Sequence, residues 1–398
     1  MLKIKKKNKI KSLIEERKKL IKIKRNKNNK EQKSNNIFLT YNQLLIFFIL
    51  ILILIVYIIY KHIKKEKEEP KIYKEQEQSD INNNKINHFT DINVSLNLSY
   101  DELHNIFKNE EDLKLFLENK TLYYYKKRKF FLDKSNWEYN ESNIITFQNK
   151  LNYLLIHESP EYKSLLADKI RLHEYSQKIL GKDICVPIIK IYNNSNEINI
   201  DELPKQFVLK CNHGSNMNII VSDKSVFNFE KAKRSLNNWM NTNYFDVFGE
   251  VQYLFIKRKI LLAPYLGDHL SEYKIFCFNG EPKYIVLSKI HNNQHIYNYF
   301  NLNWTLTDIE HGLEGYIRDP NIIEKPNNLN LMIEYAKELS NEFVFVRVDF
   351  YEINNTVYLS ELTFSPSDNH MTFKNQEQSI YLGSLLDITK IRPYLFNH

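Results

Sequence analysis

Residues Phe343 to Pro366, FVFVRVDFYEINNTVYLSELTFSP, leave the chain little conformational choice. Two runs of β-branched and aromatic residues flank Asn354 and Asn355, the signature of a β-hairpin closed by a two-residue turn. With Ile353 to Thr356 forming the turn, regular pairing sets Asp349 opposite Ser360 and beside Glu361. Such neighbours on adjoining strands lie roughly 5 to 8 Å apart. The two carboxylates converge on one ion if a twist or bulge turns both to the same face, and oxygen ligands of this kind suit magnesium carrying a nucleotide's phosphates. The plainer alternative is that these acids mark the solvent face of an antiparallel sheet. Arg347 shares the face of Asp349 by the strand period of two, which puts a cation and a carboxylate together in an otherwise apolar strand.

The 398 residues, 43% of them hydrophobic, allow one large or two ordinary domains with a sizeable core. The formal charge of +8 is concentrated, because residues 1–43 hold fifteen Lys and Arg against three Glu. The remainder is nearly neutral, so nucleic acid is not an expected partner. Cys185, Cys211 and Cys277 stand in apolar, strand-like surroundings without zinc spacing and read as buried core residues rather than a disulfide framework.

Along the chain, residues 1–43 form a basic arm. Leu44 to Tyr60 is an unbroken apolar run whose helix would span ~25 Å, which fits a thin bilayer such as that of the endoplasmic reticulum or Golgi. A cleaved signal peptide is the competing reading, but no small-residue cleavage site precedes Lys61. With the basic excess on its N-terminal side, the expected topology is a single-pass type II membrane protein anchored in the lipid bilayer, arm cytosolic and C-terminal bulk lumenal. Sequons such as Asn193 and Asn303 permit glycosylation there. Residues 61–98 read as a polar stem and 99–163 as a helical N-terminal region, with helices at Tyr100–Leu117 and Phe147–Ile156. Further helices are predicted at Ser164–Leu180, Phe229–Trp239, Leu331–Glu342 and Gly383–Ile388.

From Val186 onward the period shifts towards strands: VPIIKIY, FVLKCNHGSNMNIIVS, ILLAPYL, YKIFCFNG and KYIVLSKI. Strands joined by turns such as Asn279-Gly280 predict an α+β architecture with mostly antiparallel sheets. In FVLKCNHGSN a strand carrying Lys210 enters a small polar loop whose amides can surround a phosphate beside the lysine. A plain hairpin is the alternative, and the absence of GxxxxGKS excludes a P-loop.

The ordered segments DKIRLHEYSQKILG, FVLKCNHGSN, ILLAPYL, EYKIFCFNGEPKYI, FVRVDFY and LSELTFSP resemble the ATP-grasp superfamily, and within it the TupA-like branch associated with bacterial surface-polysaccharide synthesis. The likeness runs from Ser164 to Asp387. It implies an ATP-grasp fold over residues 164–390, two α+β subdomains gripping ATP about a hinge near residues 260–266. It further implies that Lys169 and Lys210 reach ATP phosphate, that His213, Gly214 and Ser215 form the loop closing over the triphosphate, and that the backbone at Tyr265 and Leu266 meets the adenine. Lys274 would face the nucleotide cleft and Arg347 would stabilise the transferred phosphate. Asp349 and Glu361 would hold magnesium, with Thr363 where many relatives place an asparagine ligand. The chain departs from the pattern at Ala263, where the hinge usually carries a glutamate, at Asn216 and Asp368-Asn369, where glycines are common, and at His173, which replaces an arginine.

The activity implied is ATP- and magnesium-dependent carboxylate–amine ligation through an acyl phosphate, on a glycan or small carboxylate substrate. A glycan kinase, a glycosyltransferase and a binding-only pseudoenzyme are the alternatives.

Overall fold

The computed structural model describes residues 98–391, except Lys108, Asn136, Glu138 and Ser159. The arm, the apolar run Leu44–Tyr60 and the stem up to residue 97 lie outside the described residues. Among the described residues, no helix is long and apolar enough to cross a membrane.

The described strands form two sheets. The smaller has the order β1 (Lys190–Tyr192), β4 (Ile260–Pro264), β2 (Phe207–Cys211), β3 (Asn218–Val221), all antiparallel. The larger runs β10 (Thr356–Thr363), β9 (Phe345–Ile353), β5 (Glu272–Phe278), β6 (Glu281–His291), β7 (Gln294–Asn301), β8 (Tyr316–Ile317), antiparallel except for the last pair. The chain leaves the small sheet at the end of β4 and enters the large one at β5, so Tyr265–Ser271 is the crossing between them.

The period of two decides what each face of the large sheet does. On β9, Val346, Val348 and Phe350 point into a core with Met332, Ala336 and Leu339 of the helix Leu329–Ser340 and with Leu172 and Tyr175 of the helix Arg171–Leu180. Burying such side chains contributes about 1.5–3 kcal/mol each. The other face begins with Phe345 and Phe278, packed under Phe147, Leu151 and Leu154 of the helix Phe147–His157. It continues with Arg347, Asp349 and Tyr351, where the sheet faces the site. The helix Phe229–Asn241 packs Leu236 on the small sheet.

Several sequence expectations change in detail. The span Tyr100–Leu117 is two helices, Tyr100–Ile106 and Glu110–Glu118, because Phe107 is extended and Asn109 caps the second helix through Asp112 N. Ser164–Leu180 is likewise two helices, Pro160–Ala167 and Arg171–Leu180, since the Asp168 carboxylate accepts the Ile170 N–H at 2.9 Å and turns the chain. The strand expected in VPIIKIY is limited to Lys190–Tyr192. Gly383 lies within the helix Gln376–Ser384 rather than starting one. A Cβ there would sit 2.3 Å from Ile145 O, so the close approach admits only glycine. The helix Lys120–Lys134 has no apolar stripe to announce it, because a charged residue, Arg128, occupies its buried face beside Tyr124 and Leu132.

Arg128 is fully buried and joins this helical region to the strap that follows β10. It donates to Asn152 Oδ1 at 2.8 Å, to Asp368 Oδ1 at 2.7 Å and to the Asp368 carbonyl at 2.7 Å. The strap needs this support: Ser367, Asp368 and Asn369 are consecutive left-handed residues, at φ 53, 52 and 57°. Without glycine, such a conformation persists only where its surroundings enforce it. Arg128→Met should therefore lower stability by about 3 kcal/mol, since it removes the buried cation from Asp368, leaving that carboxylate only His370 at 3.3 Å, and releases the strap. Urea denaturation reads this as a lower midpoint at unchanged slope, and a midpoint equal to wild type would contradict it.

Candidate functional site

The pairing of β9 with β10 is not the regular one. Leu359 faces Phe350, a bulge follows, and Glu361 then faces Asp349. Ser360 is the extra residue, so the regular pairing of Asp349 with Ser360 is corrected by one position. The consequence shows in the burial: Val357 and Leu359 point into the core before the bulge, Leu362 and Phe364 after it. The change of parity turns Glu361 and Thr363 to the face that carries Arg347 and Asp349.

Asp349, 1% exposed, is gripped on both oxygens. Arg347 Nε donates to Oδ1 at 2.7 Å and an Arg347 terminal nitrogen to Oδ2 at 2.6 Å, and Lys274 Nζ donates to Oδ2 at 3.1 Å. Lys274 also pairs with Glu272 at 2.6 Å, and Tyr351 OH donates to Glu272 at 2.7 Å. Thr363 Oγ1 receives Arg347 at 3.1 Å and donates to Glu361 Oε1 at 3.1 Å, while Glu361 lies 3.6 Å from Arg347. The strand period links every member of this face, and Glu272 and Tyr351, absent from the sequence reading, follow from it. Each stands two residues from Lys274 or Asp349.

Two further cations come from outside this face, Lys169 from between two helices and Lys210 from the small sheet. Lys169, in the turn between two helices, donates to the Gly214 carbonyl at 3.1 Å and so holds the loop after β2. Asn212 anchors the base of that loop to Asp168 at 2.9 Å and to Lys259 N at 2.8 Å. Gly214 is tightly packed, since a Cβ would come within 2.6 Å of the Tyr244 ring, which would have to move. Ser215 is exposed at the tip. The expected phosphate role of His213 does not extend to its side chain: the imidazole is buried and its Nε2 meets Trp239 O at 3.0 Å, away from the loop's open side. Burial lowers its pKa to about 4, so it is neutral. Tyr265 and Leu266 stand half-buried at the start of the crossing between the sheets.

The charges of the two sheets act on one another. Burial works to raise Glu361, but Lys169, Arg347 and Lys274 together outweigh it and pull its pKa down to about 2. Burial, aided by Lys169, lowers Lys210 to about 8 against the attraction of Glu361. Burial alone would lower Arg347, yet Asp349 and its other neighbours hold it above its ordinary range. For Lys274, Asp349 and Glu272 likewise outweigh burial and raise it. Four cations, Lys169, Lys210, Lys274 and Arg347, therefore act on the carboxylates of Asp349, Glu361 and Glu272. The donor set fits a hard divalent ion: opposed carboxylates on Asp349 and Glu361, the latter's side chain 35% exposed, with the Thr363 hydroxyl beside it.

Two lobes of mixed helix and antiparallel sheet, with cations from both meeting paired carboxylates, define the ATP-grasp class. Residues 148–387 match the family described as TupA-like ATPgrasp. The match spans more than half of the sequence, and the chain belongs to that family. It begins earlier than Ser164, taking in the helix Phe147–His157 from its second residue. A search of curated proteins finds no match. Among solved structures, the chain is similar to D-alanine–D-alanine ligase from Helicobacter pylori, at 17% identity and TM-score 0.36, covering 61% of this chain and 69% of that one. It is also similar to the Bacillus anthracis D-alanine–D-alanine ligase complexed with ATP, at 14% identity and TM-score 0.35, covering 66% and 81%. N5-carboxyaminoimidazole synthetase from Staphylococcus aureus complexed with ADP matches at 14% identity and TM-score 0.31, covering 60% and 55%.

Lys210 offers a check on the electrostatics. Its pKa in the folded chain lies below the ordinary 10.5. Its charge therefore destabilises the fold below about pH 8, and that cost fades as the pH rises towards 10.5. Lys210→Met should stabilise the ligand-free protein by about 1–2 kcal/mol at pH 7, a figure reduced for its partial exposure, with little gain near pH 10. Urea midpoints at the two pH values measure this, and an unchanged or lower midpoint at pH 7 would contradict it.

Proposed function

We propose that this protein is a membrane-anchored, ATP- and magnesium-dependent carboxylate–amine ligase acting on a glycan or small carboxylate in cell-surface or secretory polysaccharide synthesis. The observation that carries the reading is the bulge that sets Glu361 against Asp349 while Lys169, from the turn before the helix Arg171–Leu180, and Lys210 of the small sheet face the same charges. Magnesium held by Asp349 and Glu361, with Thr363 alongside, would supply charge neutralisation between phosphates. The chain's own groups do the rest. Lys169 and Lys210 neutralise the triphosphate, and the loop at Gly214 and Ser215 covers it. Arg347 and Lys274 meet negative charge developing on the phosphoryl group as it moves to the substrate carboxylate oxygen and its bond to ADP breaks. An amine then attacks the acyl carbon, phosphate leaves with the bonding pair, and the nitrogen gives up a proton. No covalent nucleophile is required of the protein.

The apolar run Leu44–Tyr60, with its basic N-terminal flank, supports a single-pass type II anchor in the endoplasmic reticulum or Golgi and a lumenal catalytic domain. A polysaccharide substrate suits that placement and the TupA-like family. A binding-only role is the second reading. It is favoured by Ala263, buried at 1% exposure opposite Val208, which offers no side-chain group where the hinge usually places a glutamate.

Incubating the full-length protein with ATP, magnesium and glycan fractions separates these readings. Ligation gives ADP, free phosphate and an amide product in equal amounts. ADP with a phosphorylated glycan would identify a kinase instead, and ATP bound but unconsumed would leave the binding-only role.

A further inference from the structure

His173 and Asp183 stand outside the phosphate-facing charges, and Cys185 beside them lies at the edge of the large-sheet core. Each offers one ligand atom, and these atoms lie within 4.8 Å of one another. They come from two segments. His173 stands on the helix Arg171–Leu180, which follows Lys169 directly, while Asp183 and Cys185 lie just beyond that helix's glycine stop, Gly181. The arrangement is pinned on both sides. His173 Nδ1 lies 2.7 Å from Asp183 Oδ2, and the other Asp183 oxygen accepts the Cys185 N–H at 3.0 Å. Val186 N donates to Leu359 O at 3.0 Å and Leu359 N to Ile184 O at 2.8 Å, fixing the segment against β10. All three side chains line an open cleft of about 830 Å³ whose other walls include Ile188, Val357 and Tyr358. His173 is half-buried, Asp183 exposed and Cys185 buried, so the group sits where a deep wall meets solvent.

We propose that His173, Asp183 and Cys185 form a binding site for a zinc-class divalent ion, with the fourth position open to the cleft. A mixed nitrogen, oxygen and sulfur set is the donor chemistry that zinc selects over magnesium or calcium. Ligand atoms on one tetrahedral zinc stand about 3.3–3.8 Å apart, so side-chain rotations of about 1 Å bring the three into place. Binding breaks the Cys185 S–H bond and forms a zinc–sulfur bond, with the proton passing to solvent and no change of oxidation state. Burial and the neighbouring Asp183 keep that thiol protonated without the ion. Burial disfavours the Asp183 carboxylate, but His173 and the Cys185 N–H prevail and keep it ionised. The neighbouring cation that opposes the ion is Lys210, whose charge is felt at Cys185. An ion here would join the helix Arg171–Leu180 to the segment Asp183–Cys185, which is itself hydrogen-bonded to β10 at Leu359.

Cobalt(II) titration of the full-length protein under reducing conditions tests the site without reference to ATP. One equivalent should produce the near-ultraviolet thiolate-to-cobalt charge-transfer band and the visible bands of a four-coordinate ion, and zinc should displace both. Cys185→Ser should abolish the charge-transfer band, and His173→Asn should weaken cobalt binding by at least about tenfold. Urea midpoints of both ion-free variants should stay near wild type, which separates lost binding from lost folding. No thiolate band in wild type, or one that survives Cys185→Ser, would overturn the proposal and leave the His173–Asp183 pair as an ordinary surface contact.

Discussion

One extra residue in one strand organises this protein. Without the bulge at Ser360, the alternation that buries Val357 and Leu359 would also carry Glu361 into the core. An unpaired carboxylate there would be costly, because desolvating a charge without a partner takes several kcal/mol. With the bulge, Leu362 and Phe364 take up the core positions and Glu361 emerges opposite Asp349. The same shift places Thr363 within reach of Arg347. The geometry of the charged face thus follows from a packing requirement on the other face.

The charges so assembled are expensive to hold. Asp349, Arg347 and Lys274 are nearly excluded from water, and a buried pair stabilises a fold only when every group finds a partner. Here the partners chain together, from Tyr351 through Glu272, Lys274 and Asp349 to Arg347 and on to Thr363. The exceptions are Lys169, which spends its hydrogen bond on the Gly214 carbonyl, and Lys210 on the small sheet, which carries its charge with a depressed pKa. The Tyr265–Ser271 crossing is the short connection between the small sheet that carries Lys210 and the large sheet that carries the other charges. Arg128, fully buried, fixes the left-handed strap that continues from β10.

Much of this was legible in the sequence, for reasons that differ by element. The hairpin Phe345–Thr363 announced itself because its apolar runs and Asn turn leave few alternatives, and the shared face of Arg347 and Asp349 followed from the period of two. The bulge left a signal too: Val357 and Leu359 occupy odd positions and Leu362 and Phe364 even ones, so the alternation breaks at Ser360. A regular register overlooks that break. The helix Lys120–Lys134 was hidden because its buried face carries Arg128, whose partners come from residues as remote as Asp368. The burial of His213 depends on Trp239, in a helix that no local pattern connects to the loop. The cluster of His173, Asp183 and Cys185 was likewise invisible, since it exists only once the helix stop at Gly181 folds the chain back.

The central claim is that Asp349 and Glu361 act together, through a divalent ion, on the phosphates that Lys169 and Lys210 face. Calorimetric titration with a nonhydrolysable ATP analogue, with and without magnesium, tests it on wild type and on the Asp349→Asn, Glu361→Gln double variant. The account predicts that magnesium strengthens binding by at least about tenfold in wild type and by almost nothing in the folded double variant. A well-folded double variant that keeps the wild-type affinity and the wild-type response to magnesium would contradict it.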